Sequence, residues 1–241
     1  MNERRSQIES HVGPTDAEFI ESCIAIDGPT ASGKSVIGSQ LSHHLGIPFC
    51  DTGLMYRAAT LSVLQAEISP DDSLKVIEYL ANLDLDLYWE TPETPIVLLN
   101  SISVNDQLRK PKIENTVSLI AKLPAVRSML VARQRSIASR EAVIMVGRDI
   151  GRVVLPEART KIFLDASIEV RAQRRHADQI EVGQSMTVQQ VQEATSYRDQ
   201  ADDTGKRSIR PEQAADDATV IFTDNLSERE VLDRCLGLYA T

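Results

Sequence analysis

An α/β fold, with a five-stranded parallel sheet and helices on both faces, is what the sequence predicts. Short apolar runs at 23–27, 47–50, 142–146, 161–166 and 219–224 have the length and composition of strands buried on both sides. Segments of helical periodicity separate them, the alternation that builds a parallel sheet. The glycine-rich stretch GPTASGKS, residues 28–35, joins the first run to a segment with Ile37, Leu41 and Leu45 at helical spacing.

In chain order, residues 1–21 are polar and read as a disordered N-terminal arm, with only Phe19 and Ile20 able to pack. They lack the apolar stretch of a secretory signal. The main domain is expected over 22–241. Behind Gly46 the second strand ends at Asp51-Thr52-Gly53, and a helix follows over 54–65. Residues 70–109 differ in character: a helix over 71–83, then short strands punctuated by Pro92, Pro95 and Asn100. They read as a small inserted subdomain. Helices follow over 112–122 and 124–141, where Pro124 suits a first helical turn. Two more are expected over 167–179 and 187–201. Capping boxes Thr187/Gln190 and Ser227/Glu230 mark helix starts. Ligands of such sheets bind at the carboxyl ends of the strands. The glycine-rich loop, Asp51-Thr52-Gly53 and Gly147-Arg148-Asp149 all follow predicted strands there.

Bulk properties exclude several classes. Lys and Arg number 26 against 35 Asp and Glu, a formal charge of −9, which is wrong for gripping a nucleic-acid backbone. Aromatic residues are only 4%, too few for a base-stacking strand binder. No apolar run approaches membrane-spanning length, so no membrane partner is expected. Cys23, Cys50 and Cys235 are far apart, without metal spacing, and read as buried free thiols of a cytoplasmic protein.

The chemistry begins with the loop. Residues 28–35 match G-x-x-x-x-G-K-[ST], a phosphate cradle, in the strand–loop–helix context that the motif needs. Gly28, Pro29, Thr30, Ala31, Ser32 and Gly33 would turn backbone N–H groups toward phosphate oxygens. Lys34 would reach the terminal phosphates, Ser35 would offer its hydroxyl to Mg²⁺, and the helix N-terminus would add its dipole. Other segments are ambiguous alone. Asp51 to Arg57 is either a helix start with Asp51 or Thr52 as cap and Arg57 on a wet face, or a site with Arg57 clamping a phosphate. Gly147-Arg148-Asp149-Ile150-Gly151 is a tight active-site turn or a surface ion pair. Arg171, Arg174 and Arg175 share a helix face, where like charges repel unless an anion is near. Arg198 and Asp202 are spaced to pair along a helix. Together with the loop they supply what phosphoryl transfer between two anions requires: a polyphosphate cradle, Mg²⁺ and several cations.

Taken together, IAIDGPTASGKS, DTGLMYRA, LPAVRSMLVARQR, VGRDIGRVVLPEA, KIFLDAS with RAQRR, and YRDQADD resemble the bacterial cytidylate kinases, across residues 22–240. The resemblance implies a phosphate-loop nucleoside monophosphate kinase fold that transfers the ATP γ-phosphate to CMP or dCMP, acting as a monomer with Mg²⁺. It places the loop on ATP. Asp51, Tyr56, Arg57, Ser118, Arg127, Arg148, Asp149, Arg198 and Asp202 fall where the family contacts or borders CMP. Within that set Arg57, Arg127 and Arg148 would hold the phosphate, Ser118 and Asp149 would read the cytosine edge, and Arg198 and Asp202 would face sugar and phosphate. Arg171, Arg174 and Arg175 would belong to a mobile lid over ATP, within 167–207. Lys34, Arg148, Arg174 and Arg175 are the expected catalytic residues, and 70–109 matches the family's CMP-binding insert.

Three positions depart from the family pattern. Val146 stands where an acidic residue usually precedes GRD, Arg152 replaces a threonine, and the tail after Asp202 is two residues longer, with Gly205 at the ungapped arginine position and Arg207 restoring the spacing. Asp27 or Asp51 is then expected to take part of the Mg²⁺ role. Val146 also keeps open a catalytically weak nucleotide-binding regulator, and the loop alone would serve a kinase of another small acceptor.

Overall fold

The computed structural model describes residues 15–181, 185–204 and 210–239. Helix α1 (Asp16–Glu21) opens on a capping box in which Thr15 and Glu18 exchange hydrogen bonds. The end of the stretch expected as an arm is therefore helical: the box satisfies the first N–H groups, and Ile20 packs on the core. Residues 1–14 of that arm, Gly205 and Arg207 lie outside the described residues.

The chain then runs β1 (Ile24–Asp27), α2 (Lys34–Leu45), β2 (Phe49–Asp51) and α3 (Thr52–Gln65). Next come α4 (Ser73–Leu80) and the strands β3 (Leu85–Thr91), β4 (Thr94–Leu99) and β5 (Ile102–Ser103). Helices α5 (Pro111–Ala121) and α6 (Pro124–Ala138) lead to β6 (Ile144–Val146), a π-helical turn over Ile150–Val154, and β7 (Thr160–Asp165). Helices α7 (Ile168–Glu181) and α8 (Val188–Thr204), strand β8 (Thr219–Phe222) and helix α9 (Glu228–Tyr239) complete it.

The five-stranded sheet has the order β2-β6-β1-β7-β8 and every pairing is parallel. Strands β3, β4 and β5 form a separate antiparallel sheet within the 70–109 segment. Strand alternation divides the core in two. Ile24, Ile26, Ile144, Val146, Ile162 and Leu164 face α2 and α9, where Ile37, Leu41, Val231 and Leu232 meet them. Cys23, Ala25, Cys50 and Met145 turn the other way, into a larger cluster with Met55, Val76, Ile120 and Leu130. The insert joins that second cluster through Leu85, Leu87, Val97 and Leu99.

Several local choices aim the site. Asp51 caps α3 by accepting from the Gly53 N–H at 3.0 Å, which carries the helix back to Thr52, ahead of the expected start. The expected boxes are made: the Gln190 and Glu230 side chains accept from the Thr187 and Ser227 N–H groups at 2.9 and 2.8 Å. Gly38 lets α2 lie close to the sheet, since a Cβ there would come within 2.6 Å of the Phe49 ring and 2.8 Å of Val146.

Candidate active site

The glycine-rich loop leaves β1 and enters α2 at the carboxyl end of the sheet. Gly28 is required by its backbone: φ is 144°, and a Cβ would lie 2.0 Å from the Leu164 carbonyl oxygen on the neighbouring strand. Ala31 is left-handed too, at φ 60°, a small strain stored in the loop. Lys34 is buried, its ammonium donating to the Pro29 carbonyl and, at 3.3 Å, to Ser32 Oγ. Burial, and then the nearby Arg148 guanidinium, press its pKa down to about 7. Ser35 Oγ donates to Asp51 Oδ2 at 2.9 Å, so a hydroxyl and a carboxylate from separate strand ends meet beside the loop.

Asp27 is used otherwise. Its two oxygens accept the Ile150 and Gly151 N–H groups at 2.7 and 2.8 Å, pinning the start of the π-helical turn behind Arg148 and Asp149. Only 4% exposed, it is pushed up to about 6 by burial. Of the two candidate Mg²⁺ carboxylates, Asp51 hydrogen-bonds Ser35, whereas each Asp27 oxygen accepts a backbone N–H of the turn.

Opposite the loop lie guanidiniums from several helices and from the turn after β6, each met by a carboxylate or carbonyl. Arg57 on α3 donates to Glu114 on α5 and to the Leu108 carbonyl. Arg127 on α6 pairs with Asp149. Arg148 bridges two regions, donating to Thr30 Oγ1 in the loop and pairing with Asp202 on α8 at 2.6 Å. Arg198 and Asp202, four residues apart on α8, thus each meet a partner from another element: Arg198 lies 3.5 Å from Glu114. Burial, followed by Arg148, presses Arg198 down to about 10. On α7 the three arginines diverge. Arg171 is buried, donating to the Ala166 and Thr30 carbonyls and pairing with Asp199 at 2.7 Å. Arg174 donates to Thr223 Oγ1 and O at 3.0 and 2.9 Å, while Arg175 lies 3.7 Å from Glu114.

These groups surround one cleft of about 790 Å³. Its wall includes the loop from Thr30 to Ser35, Asp51, Tyr56, Arg57, Ser118, Arg127, Arg148, Asp149, Arg174, Arg175 and Arg198. Gly28, Pro29, Arg171 and Asp202 stand behind that wall. A cleft with an anion cradle at one end and cations at the other fits two phosphorylated ligands placed end to end.

Comparison with known proteins decides the family. The model of the family described as "Cytidylate kinase" matches residues 24–241. The chain belongs to the cytidylate kinase family. The cytidylate kinase of Geobacillus sp. (strain WCH70) is 42% identical over 215 residues, 89% of this chain and 95% of that one. That of Bacillus thuringiensis (strain Al Hakam) is 37% identical over 89% and 94%. Among solved structures, a gluconokinase from Sinorhizobium meliloti 1021 aligns at a TM-score of 0.44 and 14% identity, over 92% of this chain and 93% of that one.

Sequence reasoning about this cytidylate kinase family member passed over several residues at or behind the cleft wall, among them Glu114, Thr223 and Gln134. Glu114 approaches three arginines, and its only sequence signal was its place one turn before Ser118 on the same helix face. Thr223 anchors Arg174. Gln134 is 1% exposed and lines the cleft, and its side-chain amide nitrogen has no hydrogen-bond partner among the described residues. The three cysteines are buried free thiols; burial raises Cys23 to about 11 and Cys235 to about 12.

Proposed function

We propose that the chain phosphorylates CMP and dCMP with ATP, releasing ADP and CDP or dCDP. The observation that carries this reading is the single cleft in which the phosphate loop faces arginines from α3, α6, α7 and α8. Membership of the cytidylate kinase family supports the nucleotide class of the acceptor.

In the reaction an acceptor phosphate oxygen bonds to the γ-phosphorus as the bond to the β–γ bridging oxygen breaks, leaving ADP. Loop N–H groups hold the β- and γ-phosphates, and the Lys34 ammonium exchanges the Pro29 carbonyl for phosphate oxygen. Arg148 spans loop and lid, the right place to offset charge between donor and acceptor. Arg57 and Arg127 bind the acceptor phosphate; Ser118 and Asp149 hydrogen-bond the cytosine edge, so a base with a mismatched edge would leave them unpaired. Tyr56, Arg198 and Asp202 line or brace the acceptor side. Helices α7 and α8 form the lid, with Arg171 and Arg174 anchoring it to the loop and to Thr223, and Arg175 reaching toward the acceptor end.

The residues present fit Mg²⁺ carried by the nucleotide. Mg²⁺ is usually held by one or two carboxylates or hydroxyls plus phosphates and water. Ser35 and Asp51, in mutual contact, would hold it, and no group of three or more potential metal-ligating side chains occurs among the described residues. Bound there, it would neutralise β- and γ-phosphate charge. Asp51 then serves where Val146, buried at the end of β6, cannot.

No helix among the described residues is long and apolar enough to cross a membrane. The buried free thiols suit a cytoplasmic setting. A coupled ADP-release assay with ATP, Mg²⁺ and a panel of nucleoside monophosphates, shikimate and gluconate tests the reading. Release with CMP and dCMP is expected; release only with another acceptor, or ATP binding without turnover, would overturn it.

A further inference from the structure

Glu114 is the residue that the reading above leaves without a task. It lies on α5, behind the cleft wall, one helical turn from Ser118. Its Oε1 accepts from Arg57 on α3. Its Oε2 lies 3.7 Å from Arg175 on α7 and 3.5 Å from Arg198 on α8, and accepts no hydrogen bond among the described residues although it is shielded from solvent. Burial by itself would raise this carboxyl, yet the Arg57, Arg198 and Arg175 guanidiniums together hold it below its ordinary value. It is ionised, and its charge is divided among three cations from three separate elements.

Those cations would repel one another without it. Arg198 already feels Arg148, Arg57 and Arg175 in addition to burial. The lid helices α7 and α8 pack mainly on each other, so the approach of Arg175 and Arg198 to one carboxylate on α5 ties lid to floor. The asymmetry of the two oxygens is informative. Arg57 is held by a hydrogen bond, whereas among the described residues Arg175 and Arg198 only approach Oε2, at 3.7 and 3.5 Å, distances from which a better acceptor can draw them.

We propose that Glu114 is a positioning residue for the acceptor phosphate. It fixes Arg57 and collects Arg175 and Arg198 beside it, so that seating the phosphate and closing the lid become one event. It touches neither substrate. The proposal deepens the CMP kinase reading and rests on it for the identity of the acceptor.

The test compares Glu114→Gln with the parent by calorimetry and steady-state kinetics. Gln keeps the shape and removes the charge. We expect the Kd and KM for CMP to rise by about tenfold, the scale of lost charge-assisted hydrogen bonding. Affinity for cytidine, which lacks the phosphate, and the KM for ATP should hold. Equal weakening of CMP and cytidine would overturn the proposal, because it would mark Glu114 as general structural support. Tighter CMP binding would overturn it too, marking Glu114 as a competitor of the phosphate. A second measurement needs no variant. In the ligand-free parent, the Nε–Hε NMR signals of Arg57, Arg175 and Arg198 should be more ordered than that of exposed Arg229. Equal mobility would overturn the proposal even if the variant failed to fold. That arm is independent of the acceptor, so a parent that ignores CMP would sink the functional reading while the arginine signals still decide the role of Glu114.

Discussion

The two ends of the cleft are built on opposite principles. In the proposed reading the donor end is one contiguous segment, residues 28–35, whose backbone N–H groups and single lysine make a cradle that local geometry nearly completes. The acceptor end is assembled from α3, α5, α6, α7, α8 and the turn after β6, and its cations are balanced by acids distant in sequence: Arg57 by Glu114, Arg127 by Asp149, Arg148 by Asp202. A backbone cradle needs no counter-ions. A cluster of guanidiniums does, because desolvated like charges oppose folding unless each has a partner. This is how a chain with a net charge of −9 presents a cationic pocket: the acids are interleaved with the arginines.

The strongest way to break the comparison is Lys34→Ala. It should lower kcat by about 10²–10³, the scale of removing one preorganised donor to transition-state charge, with circular dichroism unchanged. A loss below tenfold would move the cradle's charge elsewhere. Arg148→Ala sharpens the division between the two ends. The kcat/KM for CMP should fall by roughly a hundredfold while the Kd for ATP rises by only a few-fold, as expected for a charge-assisted contact to one partner. Equal losses would show that Arg148 belongs to the donor end, through Thr30.

Asp51→Asn should raise the Mg²⁺ concentration for half-maximal rate by several-fold, with a nearly unchanged melting temperature, since Asn caps a helix as well as Asp does. A Mg²⁺ titration that superimposes on the parent's would remove Asp51 from that role. The smallest effect is protonic. Lys34 titrates near 7 in the ligand-free protein, below its ordinary value of 10.5, because the buried ammonium is costly. Between those values free Lys34 is largely neutral, and a triphosphate at its nitrogen favours the charged form. ATP binding at pH 8 should therefore take up a fraction of a proton, read from calorimetry in buffers of different ionisation enthalpy. Proton release would contradict the burial of Lys34.

The legibility of each part follows from how local its cause is. The loop was readable because its glycines, lysine and serine stand in one register, with strand and helix on either side. Cap chemistry was equally local, as Thr187/Gln190 and Ser227/Glu230 show. The arginines were readable as residues but not as a network. Arg171, Arg174 and Arg175 share a helix face, yet one is locked behind the wall, one is anchored to Thr223 and one approaches Glu114. The π-helical turn went unread because its hydrogen-bond acceptor, Asp27, is 123 residues from Ile150. Helix α1 was missed because a six-residue helix has too short a period to register, and it is held by its cap and by Ile20.

By itself the sequence determined the alternating strands and helices, the phosphate loop and the family, because apolar periodicity, backbone freedom at glycine and ordered motifs act over a few residues. Tertiary structure alone decided which acid neutralises which arginine, that Asp51 meets Ser35 while Asp27 holds the turn after β6, and that Glu114 gathers three helices around one carboxylate. Those outcomes depend on distances between segments far apart in the chain, and Coulomb forces and desolvation act through space rather than along the backbone.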